Sequence, residues 1–513
     1  MLVKTYGAAV QGIGATVITI EVNILSGVKF FMVGLPDVAV KESHERILSA
    51  FNHTGYRFPR KQVIVNMSPA DIRKAGSSYD LTIATGILAA SEELSTEKLE
   101  EYAIMGELSL DGSLNPIKGV LPIAIKVKES GFKGLIIPIG NACEAAVVEG
   151  LEVIGVKNLS EVVGFLNGDV EIQPFNAPKE IQNGDLYKDS LPDFSDVRGQ
   201  QAVKRALEVA AAGGHNIIMI GPPGAGKSML AKRLPSILPP LTNEESLETT
   251  KIHSVAGHIT GNTSLLRYRP FRSPHHTISD IALVGGGSYP QPGEISLAHN
   301  GVLYMDELPE FKRSALEVLR QPLEDRKITV SRANSTVEYP ANFMLAASMN
   351  PCPCGYHGSP FKECTCSPNE VKRYMSRISG PLMDRFDIQC EISPIPFSDL
   401  ASRPKGDTSA VIRERVIAAR KIQENRFREF QGIHCNAQMD ERMLHIYAEP
   451  DSVSMKMLET AMERLKLSAR AYSRILKVAR TIADLEASGQ IKSHHVAEAI
   501  GYRNLDREDY YNL

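Results

Sequence analysis

The stretch His215–Leu234, HNIIMIGPPGAGKSMLAKRL, constrains the fold more tightly than any other part of the chain. An apolar, strand-like run stops at a glycine-rich turn, and a helix-forming run follows at once. Gly221, Gly226, Lys227 and Ser228 satisfy the pattern G-x-x-x-x-G-K-[ST] in the strand-to-helix context it requires. The glycines let the backbone curl so that its N–H groups and the helix amino terminus face phosphate oxygens, with Pro222, Pro223, Gly224 and Ala225 completing the turn. In that setting Lys227 neutralises the β- and γ-phosphates and the Ser228 hydroxyl ligates Mg²⁺. ATP and Mg²⁺ are therefore the expected cofactors.

Two more apolar runs, GVLYMDE and FMLAASMN, are continuous rather than alternating, as strands are when both faces of a parallel sheet are covered. The first ends in Asp306 and Glu307. At the carboxyl end of a strand beside the phosphate loop, Asp306 can hold the Mg²⁺ shell while Glu307 polarises the attacking water. Standing alone, the two would be an ordinary pair of exposed acids at a strand end.

With 513 residues the chain exceeds what one hydrophobic core usually serves. Residues 1–173 alternate β-rich runs (ATVITIEV, QVIVNMS, GLIIPIG) with stretches read as amphipathic helices (LTIATGILAASEEL, LPIAIKVKESG), the pattern of a compact α/β domain. Residues 174–194 are polar, rich in Pro, Asn and Asp, and read as a linker. The ATPase unit is expected over 195–396, with a cysteine-rich loop at 352–366, and a helical domain over 397–513, where apolar residues recur at helical spacing. No apolar run reaches the roughly 20 residues that span a bilayer, and no signal segment opens the chain, so the expected address is cytoplasmic and no membrane partner is expected. A net charge of −3 argues against passive coating of nucleic acid. It does not exclude a ring that gathers a few cations in a central channel.

The segments DVRGQQAVKRALEVAAAGGHNIIMIGPPGAGKS, GVLYMDELPEF, AASMNPCPCG and SGPLMDRFDI resemble AAA+ ATPases of the magnesium-chelatase type, and within them the YifB/ComM family. The resemblance implies an α/β fold in which a P-loop parallel sheet carries a helical lid. It implies that Asn350 positions the lytic water and that Arg385 is the finger inserted into a neighbouring subunit's site. In LSARAYSRILKVARTIADL it implies a second sensor arginine, matched best by Arg470 with Arg474 one turn later as rival. A positive charge supplied in trans makes hydrolysis depend on assembly, so a homo-oligomer is implied, a hexamer by the habit of the clade. For Arg385 the plain alternative is pairing with Asp384 or Asp387.

VNMSPADIRKAGSSYDLTIATGIL and LNPIKGVLPIAIKVKESGFKGLIIP resemble the proteolytic domain of Lon-type proteases, a fold shared with ribosomal proteins and RadA. That chemistry needs a serine activated by a lysine. Ser78 stands near the nucleophile position, but Leu121 occupies the lysine position and Lys118 lies three residues earlier. The domain is therefore expected to be a non-proteolytic binding or assembly module.

Cys352, Cys354, Cys364 and Cys366 form C-x-C…C-x-C directly after Asn350. Four thiolates can close a tetrahedral structural Zn²⁺ site, with His357 able to replace one sulfur; four free thiols in a reducing compartment is the other reading. In RYRPFRSPHHTISDIALVGGGSYPQPGEISLAHNG, Arg267, Arg269 and Arg272 alternate with Tyr268 and Phe271, and Gly285–Gly287 permit a hairpin turn. Such interleaving suits single-stranded DNA, or it covers the sheet or meets an adjacent subunit. His275 and His276 suit hydrogen-bonded or nucleotide-proximal roles better than a shared metal. The function implied by the resemblance is an ATP-hydrolysing ring motor on single-stranded or branched DNA, of the branch-migration kind found in natural transformation. Metal insertion or protein remodelling of the magnesium-chelatase kind is the alternative.

Overall fold

The structure is a computed structural model that describes residues 1–176, 191–259, 263–287, 290–332, 335–359, 362–394, 406–430, 432–465 and 467–503. Most of the expected linker and the expected boundary at residue 396 lie outside the described residues.

The chain begins with an antiparallel hairpin, β1 (Leu2–Gln11) and β2 (Gly14–Leu25), turned at Gly12, whose φ of 61° suits a residue without a Cβ. β3 (Phe30–Val33) and β4 (Gln62–Ser68) extend the sheet in the order β1-β2-β4-β3. Helix α1 (Ser43–Thr54) lies between them in sequence. Helix α2 (Asp80–Ala90), expected to be amphipathic, is buried at every position. It packs on β1 and β2 so closely that a Cβ at Gly86 would stand 2.7 Å from Val22 Cγ2. Its one charge, Asp80, is met by the Arg46 guanidinium at 2.6 and 2.9 Å. A second, parallel sheet of β5 (Tyr102–Ile104), β6 (Gly134–Pro138) and β7 (Glu152–Val156) joins the same core. Helices α3 (Val120–Glu129) and α4 (Leu159–Asn167) complete the domain.

The second unit opens with α5 (Gln201–Gly213), β8 (Ile217–Ile220), α6 (Lys227–Ile237) and α7 (Asn243–Ala256). Its remaining sheet strands are β9 (Phe271–Arg272), β12 (Val302–Met305), β15 (Met344–Met349) and β16 (Ile388–Glu391). With β8 they form a five-stranded sheet in the order β9-β12-β15-β8-β16, parallel at every pairing. β8, β12 and β15 are buried along their whole length, which is why they read as unbroken apolar runs. Two antiparallel pairs decorate the unit: β10 (Gly285–Gly286) with β11 (Gln291–Pro292), and β13 (Lys327–Arg332) with β14 (Ser335–Pro340).

The two units touch through α3 and α7. Gly119 N–H donates to Ser254 O at 3.1 Å, the Ser254 hydroxyl donates to the buried Glu144 carboxylate, and a Cβ at Gly257 would meet Lys118 Cε at 2.7 Å. Glu144 also accepts from Leu121 N–H at 2.9 Å, so Leu121 is buried beside this junction.

From α8 (Ser409–Phe427) onward the chain is helical, with α9 (Ser452–Leu465), α10 (Ala469–Leu485) and α11 (Ser493–Gly501). α8 packs on α5 and on the phosphate-loop helix α6, and α10 packs on α5. A buried polar hub ties this helical part to the sheet: His215 lies 3.3 Å from Asp387 and 2.8 Å from Thr481 Oγ1, while Arg474 pairs with Asp387. Burial opposes charge on Asp387, yet the Arg474 guanidinium and the contact with His215 outweigh it and hold the carboxyl well below its usual range.

Candidate functional site

The phosphate loop, residues 221–228, runs from the carboxyl end of β8 into α6. Gly221 leaves no room for a side chain, since a Cβ there would lie 2.3 Å from Ile392 O on the neighbouring strand's extension. Gly226 takes φ 88°, aiming the first N–H groups of α6 into the turn. Pro222, Pro223, Gly224 and Ala225 form the rest of the loop, and Ala225 N–H closes it on Pro222 O at 3.3 Å.

Lys227 fills its own loop. Its ammonium donates to Gly221 O at 2.6 Å, Pro222 O at 2.9 Å and Asn350 Oδ1 at 3.0 Å. Burial pushes its pKa down, against the pull of Asp306 and Glu307. On the next strands, the Ser228 hydroxyl donates to Asp306 Oδ2 at 2.7 Å, and the Ser348 hydroxyl donates to Asp306 Oδ1. Burial alone would raise the Asp306 carboxyl; the hydroxyls of Ser348, Ser228 and Tyr304 overcome that and hold it below the usual carboxylate range, charged and ready for a cation. A hydroxyl and a carboxylate this close at a phosphate-binding turn fit Mg²⁺ carried by a nucleotide. Glu307 adopts φ 55°, a left-handed conformation for a residue with a side chain, which turns its carboxylate out to 57 % exposure with His276 Nδ1 at 3.9 Å.

Thus Lys227, Ser228, Asp306, Glu307 and Asn350 meet at the carboxyl end of one sheet. Ser348 and Tyr304 belong to this group and escaped sequence reasoning; the alternation within LYMDE and AASMN was the available signal, because both side chains share a sheet face with Asp306. His276 stands beside Glu307, its ring 4.1 Å from that of His275.

The arginines lie elsewhere. Arg385 precedes β16, where Asn216 Nδ2 donates to its carbonyl at 3.0 Å, so it stands at the amino end of the sheet, away from its own chain's phosphate loop. It pairs with Glu324, rather than with Asp384 or Asp387, and its Nε is buried without a partner. Asp384 instead faces Arg470 at 3.6 Å, and Asp387 holds Arg474. Arg470 is 61 % exposed and Arg474 is 19 % exposed. Burial and the neighbouring charges of Arg474, Arg470 and Arg320 all push the Arg385 pKa down, and the group lines a cavity of about 950 Å³.

Two arginines of the basic–aromatic segment have their charges met inside the chain, while Arg267 donates to Asn243 Oδ1 at 2.8 Å. Arg269 pairs with Glu245 at 2.9 and 3.0 Å, Arg272 pairs with Glu294 at 2.6 Å, and Phe271 stacks on Tyr304 at 5.9 Å. Of the expected readings, the one in which this segment covers the sheet edge accounts for these contacts. The tip of the glycine hairpin lies outside the described residues.

The four loop cysteines gather into one cluster, all four sulfurs within 4.8 Å of one another. His357 reaches it through its backbone N–H, 3.3 Å from Cys352 Sγ. No helix among the described residues is long and apolar enough to cross a membrane.

Comparison with known proteins matches residues 193–400 to the family described as "Magnesium chelatase, subunit ChlI", residues 20–141 to "Subunit ChlI of Mg-chelatase", and residues 406–503 to "Magnesium chelatase, subunit ChlI C-terminal". The chain is 43% identical over 504 residues to the uncharacterized protein YifB of Salmonella typhimurium, covering 97% of this chain and 96% of that one. It is 43% identical over 509 residues to the competence protein ComM of Haemophilus influenzae, covering 99% and 98%. Lon protease 2 of Bacillus subtilis is 32% identical over 141 residues, 26% of this chain and 25% of that one.

Proposed function

The chain belongs to the YifB/ComM family of magnesium-chelatase-like AAA+ proteins with an amino-terminal Lon-protease-like domain, and from that premise we propose that it is an ATP-hydrolysing ring motor acting on DNA. The observation that carries the ATPase half is the cluster in which Lys227 bonds Asn350 while Ser228 bonds Asp306. Lys227 would move from the loop carbonyls to the β- and γ-phosphates, Ser228 and Asp306 would hold Mg²⁺, and Glu307 would accept the proton of the attacking water positioned by Asn350. Held there by Ser228 and Asp306, Mg²⁺ would supply positive charge against the negative charge that develops on the phosphates.

Arg385 and Arg470 would serve the site of a neighbouring copy, because both stand at the end of the sheet remote from their own phosphate loop. The exposure of Arg470 and the commitment of Arg474 to Asp387 support Arg470 as the second sensor. We assign the work to three units, residues 1–173 for docking, 195–396 for hydrolysis and 397–513 for support of the sheet and supply of Arg470.

DNA as the track is supported by the full-length likeness to a protein named for competence. Since Arg269 and Arg272 are already paired, we assign phosphate contacts to neither. The test is the steady-state ATPase rate with single-stranded, duplex and four-way-junction DNA, using Glu307→Gln as the blank. Stimulation strongest with single-stranded or branched DNA is expected. A rate indifferent to every DNA would remove the track and leave the ATPase standing.

A further inference from the structure

Just beyond Asn350 the chain makes a loop with little apolar substance of its own. Within it the Cys352, Cys354 and Cys364 sulfurs lie 3.3, 3.6 and 3.6 Å apart, and Cys366 Sγ completes a group in which all separations are within 4.8 Å. A disulfide needs about 2.05 Å, so these pairs are not bonded to each other. Four thiolates about 2.3 Å from a zinc ion stand about 3.8 Å apart at the corners of a tetrahedron, close to the observed spacing. Two backbone N–H groups already point at the sulfurs, Cys354 N–H to Cys366 Sγ at 3.4 Å and His357 N–H to Cys352 Sγ at 3.3 Å. Outer donors of this kind spread the negative charge of a thiolate site and fix its ligands.

The same loop touches the phosphate-binding turn. Gly355 has φ 85°, its N–H donates to Cys352 O at 2.9 Å, and a Cβ on it would meet Pro223 Cδ at 2.5 Å. The cluster is therefore braced between the strand end that carries Asn350 and the outer side of the phosphate loop.

We propose that Cys352, Cys354, Cys364 and Cys366 form a closed structural Zn²⁺ site whose loop buttresses the phosphate loop at Pro223, so that nucleotide affinity depends on the bound ion. The second half rests on the reading of residues 221–228 as a nucleotide site. Four protein sulfurs leave zinc no open position, so the ion holds shape and does no chemistry. Binding displaces the thiol protons as the ligands become thiolates.

The test uses the full chain purified with a thiol reductant and without chelator. Elemental analysis is expected to give about one zinc per chain. Cobalt added to the stripped protein is expected to give the intense visible bands of tetrahedral thiolate coordination. Cys354→Ser with Cys366→Ser should abolish both; the wild-type cobalt spectrum keeps the assignment testable if that variant fails to fold. Stripping zinc should raise the Kd for a fluorescent ATP analogue about tenfold, with zinc restoring it, and Gly355→Ala should keep its zinc yet raise the Kd to a similar degree. Absence of zinc together with absence of cobalt bands, or iron in place of zinc, would overturn the site. Stoichiometric zinc with an unchanged Kd in both the stripped protein and Gly355→Ala would overturn the buttress. Failure of the zinc-loaded wild type to bind the analogue at all would be a failure of the nucleotide reading, and the metal analysis would stand apart from it.

Discussion

Lys227 holds three oxygen partners, two in its own loop and one from Asn350, so nucleotide binding would exchange existing hydrogen bonds for phosphate contacts. Removing the ammonium by Lys227→Ala is expected to abolish binding of a fluorescent ATP analogue. Glu307→Gln keeps every phosphate contact and loses only the proton acceptor, so it should bind normally and hydrolyse about 100-fold more slowly, read as phosphate release. His253, on α7, donates from Nε2 to Leu297 O at 3.0 Å, and burial pushes its pKa from 6.5 down to about 4. The unfolded chain therefore binds that proton at higher pH than the folded one, and stability must fall as pH drops from about 6.5 towards 4, by up to about 3 kcal/mol from this residue. Denaturation across that window should show a shallower fall in His253→Gln; an identical slope would remove His253 as the cause. Lys227, Ser228, Asp306 and Glu307 were legible because a spacing pattern names them. Ser348 and Tyr304 were not, because a hydroxyl gains its place from the strand that meets it in space.

Among the elements, α2 gives the clearest contrast between pattern and environment. DLTIATGILAA can be wrapped to leave a polar stripe, but sheet, helices and the Arg46–Asp80 pair enclose it on all sides. Filling the gap at Gly86 with Gly86→Val is expected to cost about 1–3 kcal/mol, seen as a lower denaturant midpoint at unchanged slope. The apolar runs of β8, β12 and β15 were readable as buried parallel strands, because lying under both helical layers removes any reason to alternate. The β13–β14 hairpin was missed, although Ile328 and Val330 face Tyr339 and Val337 across the ladder in the alternation such a hairpin needs. The basic segment, whose composition suits single-stranded DNA, a cover for the sheet or an adjacent subunit, has two of its arginines claimed by Glu245 and Glu294, distant in sequence.

For the molecule as a whole, the docking of α3 on α7 makes the amino-terminal domain part of the ATPase unit's surface. Leu121 is buried next to that contact. The junction itself was not legible in the sequence, because it depends on Ser254 reaching Glu144 across 110 positions. Arg385→Ala should bind ATP and turn it over about 1000-fold more slowly, and mixing it with Lys227→Ala subunits should partly restore hydrolysis. No recovery in the mixture would count against a charge supplied between copies.

The phosphate loop and the arginine cluster occupy opposite ends of one short sheet, and this has a consequence in symmetry. A twofold pair brings like patch to like patch and would leave both functional ends unmatched. A contact that matches them is heterologous, each copy offering one end and receiving the other. Such contacts repeat by rotation until they close into a cycle or run on as a helix, and every object they build has a handed direction around its axis.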